Sequence, residues 1–167
     1  MSGADLDPPL SVKGWSIFAH PQFLETVESL VAEVGRLRAK HPRDYTAKNF
    51  TKRLAAIVKL SFEIIPQDPA RPEYRQGATL GDEYKHWFRA KFFQQYRLFF
   101  RYHLESRIII YAWVNDENTK RTYESDSEAY RTFRRMLKKG NPPDDWSQLL
   151  TQAKAHNKRT RAAIQAK

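Results

Sequence analysis

The sequence predicts an α+β fold, an antiparallel twisted sheet with an N-terminal helical hairpin and C-terminal helices packed on it, mainly on one face. Three observations carry this. Two apolar stripes of helical period occupy the N-terminal part of the 167-residue chain. From Glu73 to Asn141 no proline occurs and the apolar period changes to two. A capping box then opens a further helical pattern, at Ser125-x-x-Glu128. With 41% hydrophobic and 13% aromatic residues, the chain has the composition of a folded domain.

In chain order, residues 1–12 are expected to be a disordered arm, residues 13–156 a single domain, and residues 157–167 a basic tail. Gly14–Ala19 alternates as a short first strand. His20-Pro21 opens a helix with proline at its first position. Phe23, Val27, Leu30, Val34 and Leu37 form its apolar stripe, and Pro42 stops it. A second helix from about Asp44 places Phe50, Leu54, Ile57, Ser61 and Ile64 in register, and prolines 66, 69 and 72 break it. Trp87–Phe92, Tyr96–His103 and Arg107–Val114 read as three strands joined by short turns. The helix opened by the capping box ends at Gly140, and Asp144 and Asp145 suit the start of a last one.

Charge is the informative part of the composition. Lys and Arg number 29 against 19 Asp and Glu, a net charge of +10. Residues 1–70 hold nine basic and eight acidic side chains, whereas residues 71–139 hold fifteen and nine. Residues 151–167 hold five basic and none acidic. The excess lies in the strand region and the tail, and it points to a polyanionic partner.

Alternation places Trp87, Arg89 and Lys91 on one face of their strand, and Arg97, Phe99 and Arg101 on one face of the next. Across a three-residue turn Lys91 lies opposite Arg97. Like charges facing each other on neighbouring strands are destabilising, so either acidic side chains such as Glu105, Asp116 or Glu124 cover them or an anion lies there. Aromatic rings beside cations suit single-stranded nucleic acid, with rings on bases and cations on phosphates. Trp87, Tyr96 and Phe99 are the stacking candidates. Arg101 and His86 join the candidate RNA-binding set, as does Asn118 in the polar loop after the last strand. In that loop Arg121 and Tyr123 share a side of extended backbone. An arginine there can stabilise a pentavalent phosphate, and a tyrosine hydroxyl can donate or accept a proton or its ring can stack.

Other chemistries are disfavoured. There are no cysteines, so no disulfide, thiol nucleophile or Cys-ligated metal. His20, His41, His86, His103 and His156 show no metal-binding spacing, and no phosphate-loop motif is present. No cofactor is expected. No apolar run reaches the length of a membrane span, and the acidic start of the chain lacks the apolar stretch of a signal peptide, so a cytoplasmic protein without membrane contact is expected. If the chain cleaves RNA, it does so without metal, through the substrate's own 2′-hydroxyl. An amine among cations can serve as the base. Lys91, flanked by Arg89 and Arg97, is the candidate, with His86 the alternative. A non-catalytic RNA- or DNA-binding module, or a transcriptional co-regulator, would use the same face.

Several motifs go further: GW at 14–15, AHP at 19–21, LVAEV at 30–34, YRLFFRY at 96–102, NDENT at 115–119, RTY at 121–123 and PPDDW at 142–146. In these the chain resembles the YhaV toxins of type II toxin–antitoxin modules, within the RelE-like ribonuclease superfamily. The resemblance implies a RelE-like fold and an endoribonuclease that cleaves messenger RNA, often on the ribosome. It implies a cognate antitoxin of the PrlF type with an AbrB-like fold, and binding of the toxin–antitoxin complex to its own promoter DNA. It also implies catalytic roles for Arg89, Lys91, Arg97, Arg121 and Tyr123, with Arg97 the phosphate-binding arginine.

Overall fold

The computed structural model describes residues 8–116 and 125–166. It has the α+β class that the periodicities predict. Five strands, β1 (Leu10–Val12), β2 (Trp15–Ala19), β3 (Phe88–Phe92), β4 (Tyr96–His103) and β5 (Ile108–Val114), form one sheet in the order β1-β2-β5-β4-β3. Neighbours are antiparallel except β2 and β5, which run parallel with Ile17 opposite Ile109.

β1 falls in the segment predicted as an arm. It pairs with β2 through a tight turn at Lys13-Gly14, both left-handed (φ 51° and 84°). Such turns match the twist of antiparallel strands, and glycine adopts them without a Cβ clash. Three residues of strand are too few for alternation to reveal.

Helix α1 (Pro21–Lys40) begins as predicted. Proline occupies its first turn, where its missing N–H leaves nothing unsatisfied, and His20 Nδ1 caps it by accepting from the Gln22 amide at 3.2 Å. Phe23, Leu24, Val27, Leu30 and Val34 are buried along one stripe. Helix α2 (Asn49–Lys59) starts later than predicted, after a single 3₁₀ turn at Tyr45–Ala47. It runs into a π-turn at Leu60–Ile64. The wider turn rotates the stripe, so Phe62 and Ile65 are buried where constant helical period had pointed to Ile64. Helix α3 (Ser125–Lys138) ends at Gly140 (φ 81°). Helix α4 (Trp146–Lys154) is capped by Asp145, whose carboxylate accepts from the Gln148 amide at 3.0 Å. Helix α5 (Asn157–Ile164) lies in the predicted tail. It buries Asn157, Thr160 and Ala163, side chains too small and polar to register as an apolar stripe.

Both sheet faces are covered, a departure from the one-sided packing predicted. On one, Ile17, Leu98, Phe100, Ile109 and Tyr111 pack with α1 and α2. On the other, Phe18, Phe99, Ile110, Ala112 and Trp113 pack with α3 and α4. A bulge between β4 and β5 sets Phe99 opposite Trp113 but Phe100 opposite Tyr111. The extra residue, Ala112, lets Trp113 share its face, since a bulge breaks strict alternation. No helix among the described residues is long and apolar enough to cross a membrane.

Candidate functional site

The β3–β4 ladder pairs Lys91 with Arg97 and Arg89 with Phe99, the opposition that a three-residue turn requires. Trp87, Arg89, Lys91, Arg97, Phe99 and Arg101 therefore do share one sheet face, with Tyr96 on the other. The shared face is the one on which α3 and α4 lie, and this changes what several of them can do.

The aromatic candidates are core. Phe99 is fully buried, stacked on Phe133 at 4.3 Å and on Trp113 at 5.9 Å, with Tyr130 edge-on at 5.6 Å. Trp87 is also fully buried, edge-on to Phe133 at 5.0 Å, and its indole N–H donates to Asp144 Oδ1 at 2.7 Å. Tyr96 is buried against Phe92 and accepts a hydrogen bond from Arg53. None of the three presents a ring face to a base. Alternation put Trp87 and Phe99 on one side of the sheet but could not show that α3 covers it, while Tyr96 lies on the opposite face, under α2.

The cations divide into separate settings. Arg101 lies between two indoles, 5.4 Å from the Trp87 ring and 5.2 Å from Trp146, and donates to the Asp144 carbonyl at 2.6 Å. Desolvation pulls its pKa down, opposed by the nearby Asp144 and Asp145 carboxylates. It anchors the turn formed by PPDDW and is not offered to a ligand as the sequence reading had it. His86, exposed beside it, donates from Nε2 to Asp144 Oδ1 at 2.6 Å. Arg97 is 3% exposed, and its Nη1 donates to the carbonyls of Gln94 (2.8 Å) and Tyr96 (2.9 Å). Its guanidinium braces the hairpin turn from inside and is no surface phosphate contact.

Arg89 and Lys91 remain toward the open edge of the sheet, on β3. Arg89 is half-buried, donating from Nε to the Tyr130 hydroxyl at 2.8 Å and from Nη1 to the Glu73 carbonyl at 2.7 Å. Lys91 is exposed and makes no ion pair among the described residues. It lines a shallow cleft of about 270 Å³ with Arg71, Glu73 and Tyr74. Along β4, Arg97 and Arg101 are four residues apart, about 13 Å, and their guanidinium groups are held at opposite ends, one in the hairpin turn and one between two indoles.

Arg121, Tyr123 and Asn118 lie outside the described residues. The chain enters that stretch from the end of β5, where Asn115 is buried. Its Oδ1 accepts from the Arg97 amide at 2.7 Å and its Nδ2 donates to the Gln95 carbonyl at 3.0 Å. Asn115, Tyr130 and Asp144 were not among the sequence candidates. Asn115 and Asp144 sit inside the NDENT and PPDDW motifs, the one signal that singled them out, while no motif marks Tyr130. Among the described residues no three His, Asp or Glu side chains gather as metal ligands would.

An open sheet covered on both faces, with a cationic edge beside the root of a polar loop, is the scaffold of a class that comparison identifies. A family model described as a toxin with endonuclease activity, of a toxin–antitoxin system, matches residues 17–154. Toxin YhaV of Escherichia coli O6:H1 and ribonuclease toxin YhaV of Escherichia coli K12 are each 47% identical to the chain over 146 residues, which cover 86% of it and 95% of them. No solved structure gives a match. The chain belongs to the YhaV toxin family, the resemblance that its motifs had carried.

Proposed function

We propose that this toxin is an endoribonuclease that cleaves messenger RNA at the β3 edge without a metal ion. One observation carries the reading: Lys91, exposed and without an ion pair among the described residues, projects from an edge strand directly across from Arg97, with Arg89 two residues away on the same face. The name of the K12 relative, ribonuclease toxin YhaV, supports RNA as the substrate. Lys91 takes the proton of the substrate's 2′-hydroxyl, and that oxygen attacks the adjacent phosphorus. The bond to the 5′-oxygen breaks, leaving a 2′,3′-cyclic phosphate and a 5′-hydroxyl. Arg89 and Arg121 balance the charge on the phosphorane. Tyr123 donates the proton to the leaving oxygen or stacks on a base. In the cell the reaction is linked to translation on the ribosome. A PrlF-type antitoxin with an AbrB-like fold neutralises it, and the complex binds promoter DNA.

The test is cleavage of RNA with and without ribosomes, in the presence of EDTA. Cleavage is expected to persist on chelation and to stop on a substrate with a 2′-deoxyribose at the cut site. Lys91→Ala is expected to lower single-turnover cleavage by about 10²- to 10⁴-fold, the range for loss of a general base, with RNA affinity little changed. Undiminished cleavage by that variant removes Lys91 from the role, and loss of activity with EDTA sinks the metal-free mechanism. A parallel loss of affinity and salt dependence, with no turnover to lose, would mark a binding module.

A further inference from the structure

The hairpin tip between β3 and β4 is built in an unusual way. Phe93 and Gln94 both adopt left-handed backbone, at φ 48° and 62°. For a bulky residue such as phenylalanine this conformation is strained, and hairpins normally place glycine or asparagine there. The strain is held in place from beneath. Arg97 donates to the carbonyls of Gln94 and Tyr96, and Asn115 donates to that of Gln95 while accepting from the Arg97 amide. Two buried polar side chains thus over-determine a three-residue turn. What the turn displays is the Phe93 ring, 54% exposed and the one exposed aromatic among the described large hydrophobics.

Its position gives the ring a use. Phe93 follows Lys91 by two residues, so their Cα atoms lie within about 7 Å. Its ring tilts against that of buried Phe92 at 5.6 Å, and its other neighbours in the turn, Gln94 and Gln95, are polar, so what it exposes is no apolar patch of the size that a protein interface needs. An exposed flat ring near an exposed cation is the arrangement that takes a nucleobase on the ring and its phosphate on the cation. Trp87, Phe99 and Tyr96, the rings that alternation proposed for this task, are buried. Strained backbone held by its surroundings is common where a binding group must be preorganised.

We propose that Phe93 is the stacking platform for a base flanking the scissile phosphate, and that Arg97 and Asn115 are the residues that position it. The inference rests on the RNA-cleaving reading above and adds the element that holds the substrate strand in register with Lys91.

The experiment titrates the full chain into a 2′-O-methyl oligoribonucleotide carrying 2-aminopurine, which resists cleavage and reports stacking by quenching. Phe93→Ala and Phe93→Leu are expected to weaken binding by roughly 5- to 100-fold, the cost of losing one base–aromatic stack, and to abolish the quench. Phe93→Trp is expected to retain both. Phe93→Gly is expected to weaken binding likewise while raising the thermal midpoint, because glycine relieves the left-handed strain. Asn115→Ala is expected to weaken binding in the wild-type background but add little to Phe93→Ala, as coupled positions do. Binding by Phe93→Ala or Phe93→Leu within twofold of wild type overturns the proposal, as does a loss confined to antitoxin binding. If the wild-type chain cleaves RNA and these variants bind it normally, only the stacking role fails. If the wild-type chain neither binds nor cleaves RNA, the functional reading falls and the stacking role with it.

Discussion

Replacing Arg101 by alanine separates a cation that builds the fold from one that serves the reaction. The guanidinium lies over Trp87 and Trp146 and donates to the Asp144 carbonyl. Two partly buried cation–π contacts contribute about 1 kcal/mol each. A hydrogen bond from a charged donor contributes about 1.5–3 kcal/mol. Removing the side chain also ends its own desolvation, the cause of its lowered pKa, so part of that sum is returned. A net loss of about 2–3 kcal/mol is expected in urea unfolding. Arg101→Lys should fall between, because it keeps the charge but not the flat face. Lying about 13 Å along β4 from the residue that faces Lys91, the variant should cleave RNA at close to wild-type rate per folded molecule. An unchanged unfolding midpoint together with a hundredfold loss of cleavage would refute this reasoning and return Arg101 to the phosphate.

Other outcomes follow from the packing and the charges. Phe133→Ala removes the ring stacked on both Phe99 and Trp113, and should lower stability by about 3–5 kcal/mol, on the order of 10 °C in Tm by calorimetry. Burial holds the pKa of His20 below its usual value, and burial with Arg159 does the same for His156. The unfolded chain therefore takes up protons first as pH falls through the ordinary histidine range. Stability should be full above about pH 7 and decline below about pH 6.5; equal urea midpoints at pH 7.5 and 5.5 would contradict this. Arg159 holds Glu28 through two hydrogen bonds of 2.8 and 2.7 Å. Since both side chains are partly exposed, Arg159→Ala should cost no more than about 1 kcal/mol, with the difference shrinking in 1 M salt.

The strands of the central region were legible to within one residue at each end because their signals are local. Alternation marks a strand, turn length sets register, and together they placed Lys91 opposite Arg97. The stripe of α1 was legible for the same reason. What lay outside such reasoning was non-local. Nothing in Trp87 or Phe99 says that Phe133, more than thirty positions away, will close over them. A cation on a sheet face looks the same in sequence whether water or two indoles surround it, so Arg101 and Lys91 were indistinguishable until α3 and α4 were in place. The left-handed turn at Phe93-Gln94 was hidden because its residue types argue against that conformation. Its supports, Arg97 and Asn115, come from β4 and from the residue just past β5.

The parallel pairing of β2 with β5 also governs when the protein can come into being. Ile17 must wait for Ile109, so a chain emerging from its own ribosome holds its first strand and α1 without a sheet to cover until more than half of synthesis is past. Non-local pairing of this kind slows folding, because the closure entropy of a long loop precedes any reward. The β3–β4 hairpin, being local, can form early, but the layer that supports it cannot. A newly made toxin therefore passes through an interval in which its sequence exists and its activity does not, and the length of that interval is written into strand order.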